Sequence, residues 1–140
     1  MSRLGRRLAF DFGDTRIGVA VCDPDGILAT PLSFLLTKDP ALKQKLSDLF
    51  NEYEPSKIYV GYPLHLSGGE SSSSEKAEKF AQMVGQISSQ PVELVDERLT
   101  TSTASASLSQ AGIKARDQRG LIDSQAAVLI LEQGLLRDRG

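Results

Sequence analysis

The sequence predicts a single α/β domain in which an antiparallel meander of strands is extended by parallel strands and crossover helices. Two observations lead to this prediction. Three β-type segments separated by turn residues occupy the first third of the chain, and helical and strand patterns alternate through the remainder. The 140 residues fit one domain over 1–140, because domains usually have about 100–200 residues. No internal repeat or linker divides the chain.

The first three strands are predicted from alternating apolar residues and from the turns between them. Apolar and other residues alternate from Leu8 to Phe12, and small or β-branched residues follow from Ile17 to Cys22. The turn at 23–26 contains a proline, which presets φ, and a glycine, which tolerates positive φ. A third strand is predicted over 27–36, interrupted at Pro31.

The remaining elements are predicted to alternate between helix and strand. Asp39 followed by Pro40 is typical of a helix start, and Pro55 stops that helix. The full predicted order is βββαβαβαα. After the meander come a helix with apolar residues from Leu42 to Tyr53, a strand from Lys57 to Tyr62 and a helix containing Ala77 to Ile87. A strand from Pro91 to Val95, a helix from Thr100 to Ala111 and a helix from about Leu121 to Leu136 complete the chain.

Composition excludes several classes of protein. The longest apolar run, 126–131, is six residues, whereas a membrane span needs about 20. Arginines near the N-terminus resemble the start of a signal peptide, but Asp11 and Asp14 interrupt the apolar stretch that follows, so a cytoplasmic protein is expected. The net charge of −2 excludes a generally basic nucleic-acid binder, though not a local basic patch. With one cysteine and one histidine, any metal would be held by carboxylates.

Acidic residues in three distant segments are the candidate chemistry. Asp11 lies within a strand, where aspartate is disfavoured, and Asp96 and Glu97 directly follow a buried strand. Asp123 begins or lies early in the last helix, beside its apolar stripe. Each has a structural alternative: Asp123 as a helix cap, Glu97 in an ion pair with Arg98, and Asp11 as a paired buried charge, which is the least favourable of the three.

Three carboxylates from separate segments are a ligand set for Mg²⁺ or Mn²⁺. Two such ions can hold an attacking water and a leaving oxygen at a phosphodiester. The pattern therefore indicates metal-dependent phosphodiester hydrolysis, although 18 acidic residues also offer chance triples.

Substrate contacts are predicted from a glycine-rich segment and from basic clusters. Glycines over 61–69 follow a strand and allow the backbone to approach a phosphate, unless the segment is an ordinary connection. His65 in this segment is a candidate substrate contact. Basic residues that would act as phosphate clamps, or as ordinary solvated charges, are Arg3, Arg6, Arg7, Arg16, Lys114, Arg116 and Arg119.

Four segments together resemble the YqgF family, also called RuvX, of bacterial RNase H-like proteins. Residues 11–20 (DFGDTRIGVA) resemble its opening motif, 61–64 (GYPL) its glycine loop, 96–101 (DERLTT) its second acidic motif, and 122–127 (IDSQAA) its C-terminal motif. The match covers essentially the whole chain in the family's order. The loop departs from the family pattern at Tyr62, His65 and Ser67.

The resemblance implies an RNase H-like fold, with a five-stranded mixed sheet of order 3-2-1-4-5, strand 2 antiparallel to the rest, flanked by helices. It implies Asp11, Glu97 and Asp123 as the catalytic, metal-binding carboxylates, which are also the residues chosen above from their settings. Arg16 and Arg98 would orient substrate or the site, and Asp96 and Asp14 are candidates for a fourth acid.

The leading hypothesis is a metal-dependent endonuclease that matures the 5′ end of precursor 16S rRNA during ribosome biogenesis. The family also suggests a Holliday junction resolvase, which would act as a dimer on branched DNA. A binding or ribosome-assembly factor without activity is a third hypothesis, and a nucleotide-binding module a fourth. The expected partners are structured RNA or branched DNA and the ribosomal particle, with no membrane and with the protein as monomer or homodimer.

Overall fold

The computed structural model describes residues 5–62, 72–96 and 115–139, although within these ranges the side chains of 62, 72–74, 96, 115–123 and 139 are not described. Five strands and three helices lie in these ranges. They are β1 (Arg7–Phe12), β2 (Arg16–Cys22), β3 (Ala29–Leu36), α1 (Leu42–Tyr53), β4 (Lys57–Tyr62), α2 (Ser72–Ser88), β5 (Val92–Asp96) and α3 (Ala115–Arg139).

The five strands form one mixed sheet in the order β3-β2-β1-β4-β5. Strand β2 is antiparallel to both β1 and β3, whereas β4 is parallel to β1 and β5 is parallel to β4. The order and directions expected from the family resemblance are confirmed. Since β1, β4 and β5 run in the same direction, they end at one edge, termed here the carboxyl edge, and begin at the opposite, amino edge.

Alternation along the central strands divides the core between the two faces of the sheet. Leu8 and Phe10 of β1 pack with α1 and α2, and the Phe10 ring makes edge contacts with two phenylalanine rings at centroid distances of 6.3 and 5.5 Å. Ala9 of β1 packs instead with Tyr59 of β4 and with α3. The sheet is therefore covered by α1 and α2 on one face and by α3 on the other.

Strand β3 begins at Ala29, later than the predicted residue 27. The Asp23 carboxylate accepts hydrogen bonds from the backbone N–H groups of Ile27 and Leu28, at 2.7 and 3.3 Å. Both apolar side chains are largely exposed. The turn therefore extends through two residues whose composition suggested a strand, because a local carboxylate supplies the partners that a strand neighbour would have supplied.

The predicted interruption of β3 at Pro31 is also corrected. Pro31 lies in the ladder opposite Ala20, as a proline can in an edge strand. The irregularity falls further along, where the register shifts between Ile17 and Val19 of β2.

Two helix boundaries differ from prediction. Helix α1 begins at Leu42 rather than beside Asp39. The carboxylate of Asp39 accepts the N–H of Ala41 at 2.8 Å, which closes a turn just before the helix. Helix α3 begins at Ala115 instead of near residue 121. Strand β5 extends one residue past its predicted end, to Asp96, and the helix predicted over 100–111 lies outside the described residues.

The C-terminal end of α3 is fixed to the amino edge by charged groups. The Asp138 carboxylate accepts hydrogen bonds from Arg7 at 2.5 Å, Tyr59 at 2.6 Å and Lys57 at 2.7 Å. Although burial raises the pKa of Asp138, these donors lower it to about 2. The Tyr59 ring packs on Gly134, where an added Cβ would lie 2.4 Å from the ring. Helix α3 thus runs from this anchor toward the carboxyl edge.

Candidate active site

Asp11 lies at the carboxyl edge on the face covered by α3. It is the fifth of the six residues of β1, within the strand as predicted. Successive side chains point to opposite faces, so Asp11 shares the face of Ala9, which packs with α3, and not that of Phe10. Its side chain is partly buried. A carboxylate in this position combines access for substrate with reduced solvation.

Glycines stand on both sides of Asp11 in the sheet. Gly18 of β2 is its direct antiparallel partner. On the other side, Phe10 pairs with Val60 of β4, so the next residue, Gly61, lies beside Asp11. Because glycine has no side chain, nothing in these two flanking positions projects over the face beside the carboxylate. Both glycines are buried, so the backbone on each side of Asp11 is covered without a side chain of its own.

Helix α3 is attached to the same part of the sheet through Ser124. The fully buried Ser124 donates a hydrogen bond to the Leu32 carbonyl at 2.5 Å and accepts one from the Val19 N–H at 3.4 Å. These strand groups lie at the shift of register between β2 and β3. The hydroxyl therefore bonds the helix to two strands at a place where their ladder is irregular.

This attachment determines where the Asp123 segment lies. Asp123 precedes Ser124, and Val19 follows Gly18, the partner of Asp11. The backbone at Asp123 is therefore close to the paired strand residues Asp11 and Gly18. Asp123 is about two turns into α3 at 3.6 residues per turn, so the alternative that it caps the helix is wrong.

Asp11 is the one predicted ligand whose side chain the structure describes. Asp96 ends β5 opposite Tyr62, at the same edge, and Glu97 follows it in sequence but lies outside the described residues, as do the predicted substrate contacts His65, Arg98 and Lys114. Arg116 is in the first turn of α3. Among the side chains that the structure describes, no three of His, Cys, Asp or Glu are grouped as a metal site.

Two polar residues of the β1–β2 hairpin lie at the carboxyl edge. Arg16, the first residue of β2, is exposed, and its guanidinium carbon lies 5.0 Å from the centroid of the Phe34 ring. Asp14, a candidate for a fourth acid, is 3.0 Å from the Lys76 ammonium of α2. The Asp14 carboxylate is thus paired with a cation on the helix that covers the other face of the sheet.

Sequence reasoning missed Gly18, and it named Gly61 as part of a glycine-rich segment without placing it beside Asp11. Both positions depend on register, which pairs residues far apart in sequence. Ser124 offered a local signal, because it is a small polar residue three positions before Ala127 on the buried side of α3. Two lysines of α2 were also missed. These two residues, Lys76 and Lys79, line a groove of about 330 Å³, termed here the α1–α2 groove. Its other lining residues are Phe12, Thr37, Leu42, Phe80 and Met83.

The strand order, the strand directions and the carboxylate at the end of β1 define an RNase H-like fold. A solved structure of Thermus thermophilus RuvC in complex with a Holliday junction substrate superposes with a TM-score of 0.61. The alignment covers 97% of this chain and 96% of that chain at 13% sequence identity. At this identity the likeness shows the fold alone.

The family is shown by sequence. The model of the RuvX family, described as Holliday junction resolvase, matches residues 5–137. A relative from Streptomyces coelicolor is 50% identical over 139 residues, covering 98% of this chain and 83% of its own. One from Streptomyces avermitilis is also 50% identical, covering 98% of this chain and 89% of its own. Both carry the name "Putative pre-16S rRNA nuclease". The chain belongs to the RuvX family, as its motifs predicted.

Of the helices that the structure describes, none is both long and apolar enough to cross a membrane.

Proposed function

We propose that this protein is a divalent-metal-dependent endonuclease that cleaves precursor 16S rRNA near its mature 5′ end. The observation that carries the proposal is the partly buried carboxylate of Asp11, flanked by glycines at the carboxyl edge and close to the Asp123 segment. The names of the Streptomyces relatives supply the substrate.

The donor set fits a hard cation. Asp11, Glu97 and Asp123 would hold Mg²⁺ or Mn²⁺, because these ions prefer carboxylate and water oxygens and often bridge to substrate phosphates. Such ions lower the pKa of a bound water and stabilise the charge on the attacked phosphate and the leaving oxygen. The partial burial of the Asp11 carboxylate supports this assignment, since a bound cation would offset the cost of removing that charge from water.

The chain's own residues would bind and orient the nucleic acid. Arg16 is exposed at the carboxyl edge, where its guanidinium can donate two hydrogen bonds to a phosphate. Arg98, His65, Lys114 and Arg116 are assigned as further substrate contacts from their sequence positions.

The proposal is tested by cleavage with the purified full-length chain in Mg²⁺ and in Mn²⁺. Three substrates are compared: RNA spanning the 5′ end of precursor 16S rRNA, single-stranded DNA and a four-way DNA junction. Asp11→Asn is the site variant, and Asp48→Asn, on the exposed side of α1, is the matched control.

The expected result is specific cleavage of the RNA by the wild type and Asp48→Asn, and none by Asp11→Asn. Thermal unfolding should confirm that both variants are folded. Cleavage by Asp11→Asn at the wild-type rate would contradict the assignment of the site.

A Holliday junction resolvase is the second candidate function, favoured by the description of the family model. A resolvase makes two symmetric cuts, which a dimer with two sites can supply. Paired cuts in the junction together with a dimeric mass in light scattering would place this function first. Cleavage of RNA only within a ribosomal particle would instead identify the particle as the required partner.

A further inference from the structure

The α1–α2 groove lies at the carboxyl edge, on the face of β1 opposite that of Asp11. Its lining is apolar apart from Thr37 and two lysines, and among the described residues no carboxylate contributes to it. Phe12 follows Asp11 in β1, and its ring lies 5.1 Å from that of Phe80. A strand of nucleic acid that crosses this edge could therefore contact both faces of β1.

Helix α2 presents two lysines to the groove and a carboxylate elsewhere. Lys76 and Lys79 line the α1–α2 groove, whereas Glu78 lines a depression beside β5. Residues three apart in a helix are neighbours, so the two lysines repel each other unless an anion lies between them. The side of α2 that faces the groove is thus suited to a negatively charged ligand.

The two ammonium groups are available for such a ligand. Lys79 is exposed and makes no ion pair with the residues that the structure describes. Lys76 pairs with Asp14, but the two side chains are 52% and 65% exposed. A solvated pair of this kind is weak, so a phosphate can replace Asp14 as the partner of Lys76.

The end of the groove nearest the active site is held in place by Thr37. The Thr37 N–H donates to the Thr15 carbonyl at 2.9 Å, and its hydroxyl donates to the Gly13 carbonyl at 2.7 Å. Both acceptors belong to the turn that follows β1. The groove is therefore fixed relative to the strand that carries Asp11.

We propose that the α1–α2 groove binds one unpaired nucleotide of the substrate strand, next to the phosphate that is cleaved. Its base would lie on the apolar floor around Phe12 and Met83, and its flanking phosphates would contact Lys76 and Lys79. Bases stack on apolar and aromatic groups without sequence preference, and lysine is a suitable point charge for phosphate. The inference rests on the proposed function, because it takes a nucleic acid as the occupant.

The phosphate contacts are tested by binding of a fluorescein-labelled single-stranded RNA to the full-length Asp11→Asn protein, which serves as a non-cleaving background. Lys76→Ala and Lys79→Ala are compared in this background with Lys43→Ala, an exposed lysine of α1 outside the groove that controls for net charge. The logarithm of the association constant falls linearly as log salt rises, and loss of one phosphate contact should make this negative slope less steep by about 0.7. Binding at 0.1 M salt should weaken about fivefold. Lys43→Ala should change neither value.

The base contact is tested with a series of the same RNA carrying an abasic nucleotide at successive positions. One position should weaken binding about five- to 100-fold, as expected for loss of a stacked base. Met83→Gln, which makes the floor polar at similar volume, should reduce that sensitivity. Uniform sensitivity along the strand would overturn the assignment of a base to the groove.

Failure of this inference can be distinguished from failure of the nuclease proposal. If the wild type cleaves RNA but Lys76→Ala and Lys79→Ala bind like Lys43→Ala, the groove assignment is wrong and the nuclease proposal stands. If the wild type cleaves nothing but the lysine and abasic effects appear, the groove binds nucleic acid and the nuclease proposal fails. Absence of RNA binding by the background protein would overturn the groove's occupant.

Discussion

Replacing Ser124 with alanine should loosen α3 at the point where it carries Asp123. The Ser124 hydroxyl is fully buried and bonds to the Leu32 carbonyl at 2.5 Å and to the Val19 N–H at 3.4 Å. Alanine removes one oxygen and leaves the methylene packing almost unchanged. The substitution therefore tests the hydrogen bonds and not the filling of the core.

The magnitude follows from the two bonds that are lost. A buried polar group left without a partner costs about 1–3 kcal/mol. The bond to Leu32 is short, whereas the bond from Val19 is at the long limit for a hydrogen bond, so most of the effect comes from the carbonyl. We expect the free energy of unfolding to fall by about 1–2 kcal/mol, equivalent to a Tm lower by about 3–6 °C for a chain of this size.

Urea and thermal unfolding of Ser124→Ala and Ser33→Ala measure this effect. Ser33 follows Leu32 in β3 and is exposed, so its substitution should change stability by less than about 0.5 kcal/mol. Because Ser124 holds the Asp123 segment, the Mn²⁺ concentration for half-maximal cleavage should also rise in Ser124→Ala alone. Equal stability of the two variants would refute the reasoning about the buried hydroxyl. Lower stability with an unchanged Mn²⁺ requirement would make Ser124 structural and not a positioning residue.

Three further predictions follow from other contacts. Gly18→Val would place a side chain about 5 Å from that of Asp11 at a buried position of the strand pair. It should abolish metal-dependent cleavage and also destabilise the fold by about 1–3 kcal/mol through overpacking; cleavage at the wild-type rate would contradict the assignment of the site. The pKa of Asp138 lies at about 2 instead of 3.8. The ionised Asp138 therefore stabilises the folded state above pH 3.8, and this contribution to the free energy of unfolding is lost as the pH falls toward 2. Unfolding measured against pH should show this loss in the wild type and less of it in Asp138→Asn. Gly134→Ala would force a Cβ to within 2.4 Å of the Tyr59 ring and should destabilise the protein by about 1–3 kcal/mol. In Gly85→Ala the nearest atom to the added Cβ lies at 3.6 Å, so this variant should be neutral or stabilising because alanine favours a helix. The reverse order of stabilities in urea unfolding would contradict the packing argument.

The parts of the fold that depend on local pattern were predictable from the sequence. The alternation from Leu8 to Phe12 correctly assigned Phe10 and Asp11 to opposite faces, and the family motifs supplied the strand order. The start of helix α3 was predicted too late because residues 116–120 are polar or glycine, so no apolar stripe marks the first turns. Its start is visible only in the structure.

The candidate site was predictable in its charged group and not in its surroundings. Asp11 was identifiable because aspartate is disfavoured within a β-strand, so its presence there indicates a functional role or a paired charge. Its neighbours in the sheet are Gly18 and Gly61, which are set beside Asp11 by one antiparallel and one parallel register. No local pattern contains this information, because each pairing joins residues separated by a turn or by a whole crossover unit.

The opposite edges of the sheet carry different kinds of charge arrangement. At the amino edge, Asp138 has several donors within hydrogen-bonding distance, which lowers its pKa and anchors α3. At the carboxyl edge, Lys79 has no ion-pair partner among the described residues and Lys76 has only a solvated one. Charges satisfied within the protein stabilise the fold, whereas exposed charges of one sign beside an apolar floor favour a ligand. This contrast, together with Asp11, is the basis on which we propose both the chemistry and the binding of the substrate strand at the carboxyl edge.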